Sequence, residues 1–321
     1  MRVCRKEHPM RMRKITEMKE RPTLEAAAKD FIGIKQAQML SEETLHDYKV
    51  QLDRFLSKSR NSTEYAILEQ DTLAFFASIP DTSPARYNKP YQYISAFFGW
   101  MVKQSYIPKN PITANDLKKR RDAWNIKPVS VDDLQRFMAS LDKKTYTGMR
   151  TYTIILVMLD CGIRTKELLQ LQESDFNAAE HTLNVSKIVA KTRRERLLYL
   201  SPQTSRAITA FMRIKPQEWD NWLFPNYEGK QLTTTYLDKD FAKISSLSGV
   251  KITPYQLRHS FATLYLKNGG DLFTLQKQMG HSDLRMTKRY TEIDDDFLQS
   301  QHTTFSPVNL LGQKQKVIKV G

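Results

Sequence analysis

Between Thr253 and Thr291 the chain is punctuated so densely that it can form only short helices joined by tight turns. Thr253-Pro254 opens the first helix with a hydroxyl that can cap it and a proline at the first helical position. Tyr255 and Arg258 are three apart and share one face of it. Asn268-Gly269-Gly270 breaks it, and Asp271 is placed to cap the next. Leu272, Leu275 and Met279 give that second helix a buried side, and Gly280 ends it, which sets His281 at a helix terminus. Ser282 and Asp283 open a third helix, which carries Tyr290. Cationic, imidazole and phenolic groups therefore stand on rigid elements with apolar backs.

The segment before this stretch supplies more charge on ordered elements. Ser130-x-x-Asp133 starts a helix through Leu141, and Thr151 to Leu159 is an apolar, buried one that Cys161-Gly162 ends. Arg164 follows at once, with Glu167 three residues on; taken alone, this spacing reads as an ion pair along one helix. His181 to Ser186 and Arg196 to Leu200 alternate like short strands. Between them lies a basic tip that holds Lys187, Lys191, Arg193 and Arg194. Ser201-Pro202 begins another helix through Met212, Trp222 to Pro225 is extended, and Leu237 to Leu247 is helical up to Gly249.

The first third is helical throughout. Leu24, Ala27, Ala28, Phe31 and Ile32 recur at helical intervals, Ser41 caps a second helix through Leu56, Thr72 to Ser78 forms a third, and Ser83-Pro84 opens a fourth. The aromatic residues of that fourth helix fall at core spacing, which favours packing over base stacking. The predicted division is a basic arm at 1–20, a helical domain at 21–115, a linker at 116–128 and a second domain with a tail at 129–321. The arm touches phosphates or is merely a disordered start. Lys118, Lys119, Arg120 and Arg121 form a solvated linker or one that tracks a DNA backbone. The apolar tail Phe305 to Leu311 folds back on its own domain or finds another surface.

A formal net charge of +15 over 321 residues points to a polyanionic partner, nucleic acid most simply, with a generally cationic surface as the alternative. Two cysteines, Cys4 and Cys161, cannot build a disulfide framework or a cysteine-rich zinc site. No apolar run reaches membrane-spanning length and 1–20 lacks the apolar core of a signal peptide, so a soluble, cytoplasmic chain is expected. No Walker A loop or His-Glu-x-x-His site is present, and no metal or nucleotide cofactor is expected.

The ordered set Arg258-His259, Met279-Gly280-His281 and Tyr290 resembles the C-terminal signature of the tyrosine recombinase (phage integrase) family. Ser41-x-x-Thr44, Phe97-Phe98 and Asn110-Pro111 are similar to soft features of that family's N-terminal half. The resemblance implies a mainly α fold with a small β-sheet. It divides into an N-terminal helical core-binding, SAM-like domain and an α+β tyrosine-recombinase catalytic domain. It implies that Arg164 and Arg258 hold the phosphate, with Glu167 supporting the first and His259 supporting the site. His281 would donate to the phosphate, Lys191 would protonate the leaving 5′ oxygen, and Tyr290 would form a 3′-phosphotyrosyl bond that conserves ester energy. The family's glycines around the hairpin lysine are Ala190 and Thr192 here, and Lys187 competes for that role. Where the family has histidine three residues before the second arginine, this chain has Tyr255, a poor proton acceptor at neutral pH.

The implied partner is double-stranded DNA with core recombination sites, bound by a homo-tetramer that is monomeric or weakly associated when free, with no membrane. By the same resemblance, the surface that the apolar tail finds would be a neighbouring protomer. The short basic arm favours binding to core sites alone. Lys118, Lys119, Arg120, Arg121, Arg193 and Arg194 are the expected DNA contacts. The leading reading is a site-specific DNA recombinase of integrase or transposase type that moves or resolves a genetic element. A type IB topoisomerase-like or end-resolving enzyme shares the chemistry, and a catalytically silent, sequence-specific DNA-binding protein is the reading from another class.

Overall fold

The computed structural model describes residues 21–121, 128–190, 194–287, 290, 299, 302–304 and 306–307. The basic arm, Lys191, Arg193 and most of the apolar tail lie outside the described residues. The chain divides into two compact units, Met1–Ala123 and Trp124–Gly321.

Side-chain caps start the helices of the first unit where the hydroxyl residues stand. α1 (Leu24–Ala37) begins at Thr23, whose hydroxyl accepts from the Ala26 N–H at 3.2 Å. Ser41 does the same for α2 (Glu42–Leu56). α3 (Tyr65–Ala77) starts well before the expected Thr72. Its inner face holds buried Asp71 and Thr72, which interrupt the apolar period. Both are satisfied, Asp71 by the backbone N–H and Nε of Arg60 at 2.8 Å each, and Thr72 by donating to the Leu68 carbonyl at 2.7 Å. α4 (Pro84–Lys103) is capped by Ser83, and a one-turn α5 (Pro111–Ala114) follows Asn110.

Aromatic rings fill this unit. Phe55 meets Phe75 and Phe98 edge-on, with centroids 5.3 and 5.5 Å apart, and Phe97 and Phe98 have no exposure. The stripe on α4 is core, as its spacing predicts. The run expected as a linker begins on this unit. The Asn88 side chain binds the Arg120 N–H and carbonyl at 2.8 and 2.9 Å, the Arg120 guanidinium lies 4.3 Å from the Tyr87 ring centre, and its Nη1 pairs with Asp81 at 2.5 Å.

The second unit is a helical body with one small sheet. α6 (Val131–Ala139) and α7 (Tyr146–Cys161) are capped by Ser130 and Thr145. α7 begins before the expected Thr151 because its first turns bury polar groups. Arg150, 2 % exposed, donates to the Pro225 carbonyl and pairs with Asp240 at 2.7 Å. One-turn α8 (Thr165–Leu168) leads to the sheet, β1 (Phe176–Asn177), β2 (Thr182–Val185) and β3 (Arg196–Tyr199), antiparallel in the order β1-β2-β3. The two-residue β1 is too short to show alternation and was not expected. α9 (Pro202–Ile214), α10 (Thr234–Ser248), α11 (Pro254–Lys267), α12 (Leu272–Met279) and α13 (Leu284–Thr287) complete it. Among the described residues no helix is long and apolar enough to cross a membrane.

Two glycines position the site. Gly162 ends α7 at φ +61°, and a Cβ there would stand 2.2 Å from the Phe261 ring of α11. α11 can therefore approach the end of α7 only across a glycine. Gly280 ends α12 at φ +62° and turns the chain into His281.

Candidate active site

Three consecutive carbonyls at the end of α12 each take a hydrogen bond from a different arginine. Gln278 accepts from Arg196 Nε at 3.1 Å, Met279 from Arg258 Nη2 at 2.8 Å, and Gly280 from Arg164 Nη2 at 2.8 Å. The last carbonyls of a helix have no partner within it and form the negative end of its dipole, so they suit guanidinium groups. Arg164 arrives from the turn after α7, Arg258 from the first turns of α11, and Arg196 from the start of β3. Arg258 Nη1 also donates to the Gly162 carbonyl.

Glu167 joins two of these cations. It is 1 % exposed; Arg164 Nη1 reaches Oε1 at 3.0 Å and Arg196 Nη2 reaches Oε2 at 2.5 Å. Burial opposes its ionisation, but the hydrogen bond and charge of Arg196, then the charge of Arg164, outweigh burial and hold the carboxyl below its ordinary range. Burial, then the neighbouring Arg164, pull Arg258 down to about 9, still a cation at neutral pH.

His281 closes the cluster. Its Nε2 lies 3.0 Å from Arg258 Nη2 and its Nδ1 lies 2.9 Å from the hydroxyl of fully buried Thr287. A guanidinium only donates, so Nε2 accepts and Nδ1–H donates to Thr287. Burial, then the charges of Arg258, Arg164 and Arg196, lower the His281 imidazole to about 4. His259 falls to about 4 through burial and then Arg258. Both rings are neutral at pH 7.

Tyr290 packs among these groups. Its ring is parallel to His281 within 10° at 6.5 Å between centres, and tilted against His259 at 5.3 Å. His259 in turn meets Tyr255 edge-on at 4.2 Å. Tyr290 also rests on the small core of Phe261, Ala262, Leu275 and Met279, and its phenol is one of the groups that set the ionisation of Arg258. Tyr255 is half exposed at the start of α11. A cleft of about 930 Å³ opens beside the cluster, lined by Arg164, Arg194, Arg196, Lys277, His281 and Met286 among others.

The structure thus brings together Arg164, Glu167, Arg258, His259, His281 and Tyr290, with Tyr255 at their edge. Arg194 is exposed on the cleft wall, while Lys191 and Arg193 lie outside the described residues. On the first unit Lys118, Lys119 and Arg121 are exposed, and Arg120 is engaged by Asp81 and Tyr87. Sequence reasoning missed Arg196 and Thr287. A lone arginine opening a strand and a lone threonine three residues before Tyr290 carry no local signal of what they meet.

Chains of known type share this architecture. The chain is 29% identical over 286 residues to tyrosine recombinase XerC of Pediococcus pentosaceus, covering 83% of this chain and 93% of that protein. It is 27% identical over 282 residues to tyrosine recombinase XerD of Listeria innocua, covering 84% and 94%. Its fold is similar to the Tn1549 transposon integrase in complex with transposon right end DNA, with a TM-score of 0.72 at 18% identity over 88% of this chain and 99% of that one. A lambda integrase dimer bound to a core site gives a TM-score of 0.70 at 16% identity, over 82% and 97%. The model of the phage integrase family matches residues 127–296, more than half of the chain, and this chain belongs to that family.

Proposed function

We propose that this chain is a site-specific DNA recombinase that cleaves and rejoins strands through Tyr290. The reading rests on family membership and, in the fold, on one observation: Arg164, Arg258 and His281 converge at the end of α12 with the Tyr290 ring stacked on His281. A phenol titrates near pH 10 and is a weak nucleophile while protonated. Two cations beside it favour the phenolate and neutralise the charge that grows on the phosphate's non-bridging oxygens. In the proposed step the Tyr290 oxygen bonds to phosphorus, the bond to the 5′ oxygen breaks, and the phenol proton leaves to water. Lys191 returns a proton to the departing 5′ oxygen. Attack by a 5′ hydroxyl from a second duplex reverses the sequence, and the ester energy is kept throughout.

Strand exchange between two duplexes calls for a tetramer on DNA, with the apolar tail of one copy seated on the next. The exposed Lys118, Lys119, Arg121 and Arg194 add sequence-independent phosphate contacts. Such a protein serves to move or resolve a genetic element.

The test begins with core-site DNA selected from a random duplex pool and nicked near the exchange point. The wild-type chain should leave a detergent-resistant DNA adduct and Tyr290→Phe should leave none. Specific binding without any adduct would favour a silent DNA-binding protein. Relaxation of supercoils without exchange between sites would favour the topoisomerase-like alternative.

A further inference from the structure

Arg196 is the third guanidinium on the α12 carbonyls, and nothing in the proposed chemistry yet uses it. It is not an open surface charge: its side chain is 10 % exposed and its guanidinium is bonded to the site's own framework. Nη2 and Nη1 reach the two oxygens of Glu167 at 2.5 and 3.4 Å, and Nε reaches the Gln278 carbonyl. Gly280 leaves it room, since a Cβ there would stand 3.2 Å from the Arg196 guanidinium carbon. One planar group therefore ties the base of the hairpin, the carboxylate behind Arg164 and the end of the helix that presents His281.

The charges explain why a second arginine is needed on Glu167. Arg164 and Arg258 bring two positive charges to the cluster, and the buried Glu167 carboxylate that orients Arg164 removes one of them. Arg196 restores it. Without Arg196, a carboxylate held by one cation draws Arg164 inward and weakens its field at an incoming phosphate.

We infer that Arg196 is a positioning residue for strand cleavage, acting through Glu167 and α12 so that Arg164 stays oriented and undercompensated by its own counter-ion. This rests on the proposed function of the same site. Arg196 itself need not touch the DNA.

The test uses the full chain and the nicked duplex selected above, and it reads single-turnover adduct formation at saturating DNA alongside the binding constant. Arg196→Met should slow cleavage about 10- to 100-fold, in the range seen when one preorganised donor is lost, with DNA affinity little changed. Adding Glu167→Gln removes the uncompensated charge and should return about tenfold of that loss, a coupling typical of contacting residues. A purely structural brace would give no such return. Should Arg196→Met not fold, Arg196→Lys carries the test. It keeps the charge but cannot span Glu167 and Gln278 together, so cleavage should still fall at unchanged affinity. Wild-type cleavage with full activity in the folded Arg196 variant, or no recovery in the double variant, would overturn this inference alone. Failure of the wild-type chain to form any adduct would remove the proposed function beneath it.

Discussion

His281 Nε2 accepts a hydrogen bond from Arg258 Nη2 at 3.0 Å, so the histidine presents a lone pair, not a proton, to its arginine neighbour. A phosphate needs a donor there. DNA should draw the Arg258 fork outward and leave Nε2 free to take a proton, the phosphate charge offsetting the cations that now depress the ring. Nitrogen NMR should show the neutral Nδ1–H tautomer at pH 7 without DNA and a protonated Nε2 in the DNA complex. An unchanged neutral ring in the complex would argue against this donor role.

Thr287 sets that tautomer from the other side. Thr287→Val keeps the shape but leaves the His281 Nδ1–H buried without its acceptor, a loss of about 1–3 kcal/mol in stability. Because Thr287 lies on α13, three residues before Tyr290, adduct formation should fall with it by about tenfold, equivalent to roughly 1.4 kcal/mol of barrier. Thr287→Ser, which retains the hydroxyl, should recover most of the rate.

Acid should loosen the second unit. An unfolded histidine titrates near 6.5, whereas folded His259 and His281 are held to about 4. Between those values the unfolded chain binds more protons, so this contribution is fully present above 6.5 and is lost as pH falls toward 4. The urea midpoint should drop from pH 7 to pH 5. His281→Gln should flatten the profile over that window; the same slope in the variant would assign it to other groups.

The two site glycines should fail differently. Gly162→Ala must adopt φ +61° and overlap the Phe261 ring, so stability should fall by more than the ~1–2 kcal/mol of the left-handed backbone alone. Gly280→Ala meets only the end of a long side chain at 3.2 Å. Its melting temperature should fall less, while cleavage should fall by more than the loss of folded protein explains.

Tyr255 and Tyr290 divide the remaining roles. Tyr255 is half exposed, and the His259 ring packs against both it and Tyr290. Tyr290→Phe should abolish adducts on the nicked duplex. Tyr255→Phe should slow them far less, and equal losses would show that Tyr255 shares in the proton transfer.

Much of this site could be read from the chain because local punctuation placed its parts. Thr253, Asp271 and Gly280 mark the ends of α11 and α12 through chemistry that acts within a few residues. The early starts of α3 and α7 were hidden because Asp71, Thr72 and Arg150 are polar yet buried, paired with groups up to ninety residues away. Arg196 and Thr287 carried no signal either: Arg196 acts through Glu167 and Gln278, 29 and 82 residues away, and Thr287 acts through His281 across a glycine-led turn that no periodicity encodes. The linker arginine Arg120 looked free because its partners, Asp81 and Asn88, precede it by more than thirty residues.

The α12 carbonyls have one more consequence. The guanidinium groups that would meet a phosphate are already lodged on backbone oxygen, so they do not depend on dissolved anions to stay in place. Exposed lysines and arginines that neutralise DNA phosphates release the cations condensed on the duplex, so their share of the binding falls as salt rises. Raising potassium chloride should therefore detach the protein from its duplex long before it disorders the pocket, and a complex crosslinked in place should keep its cleavage rate in brine.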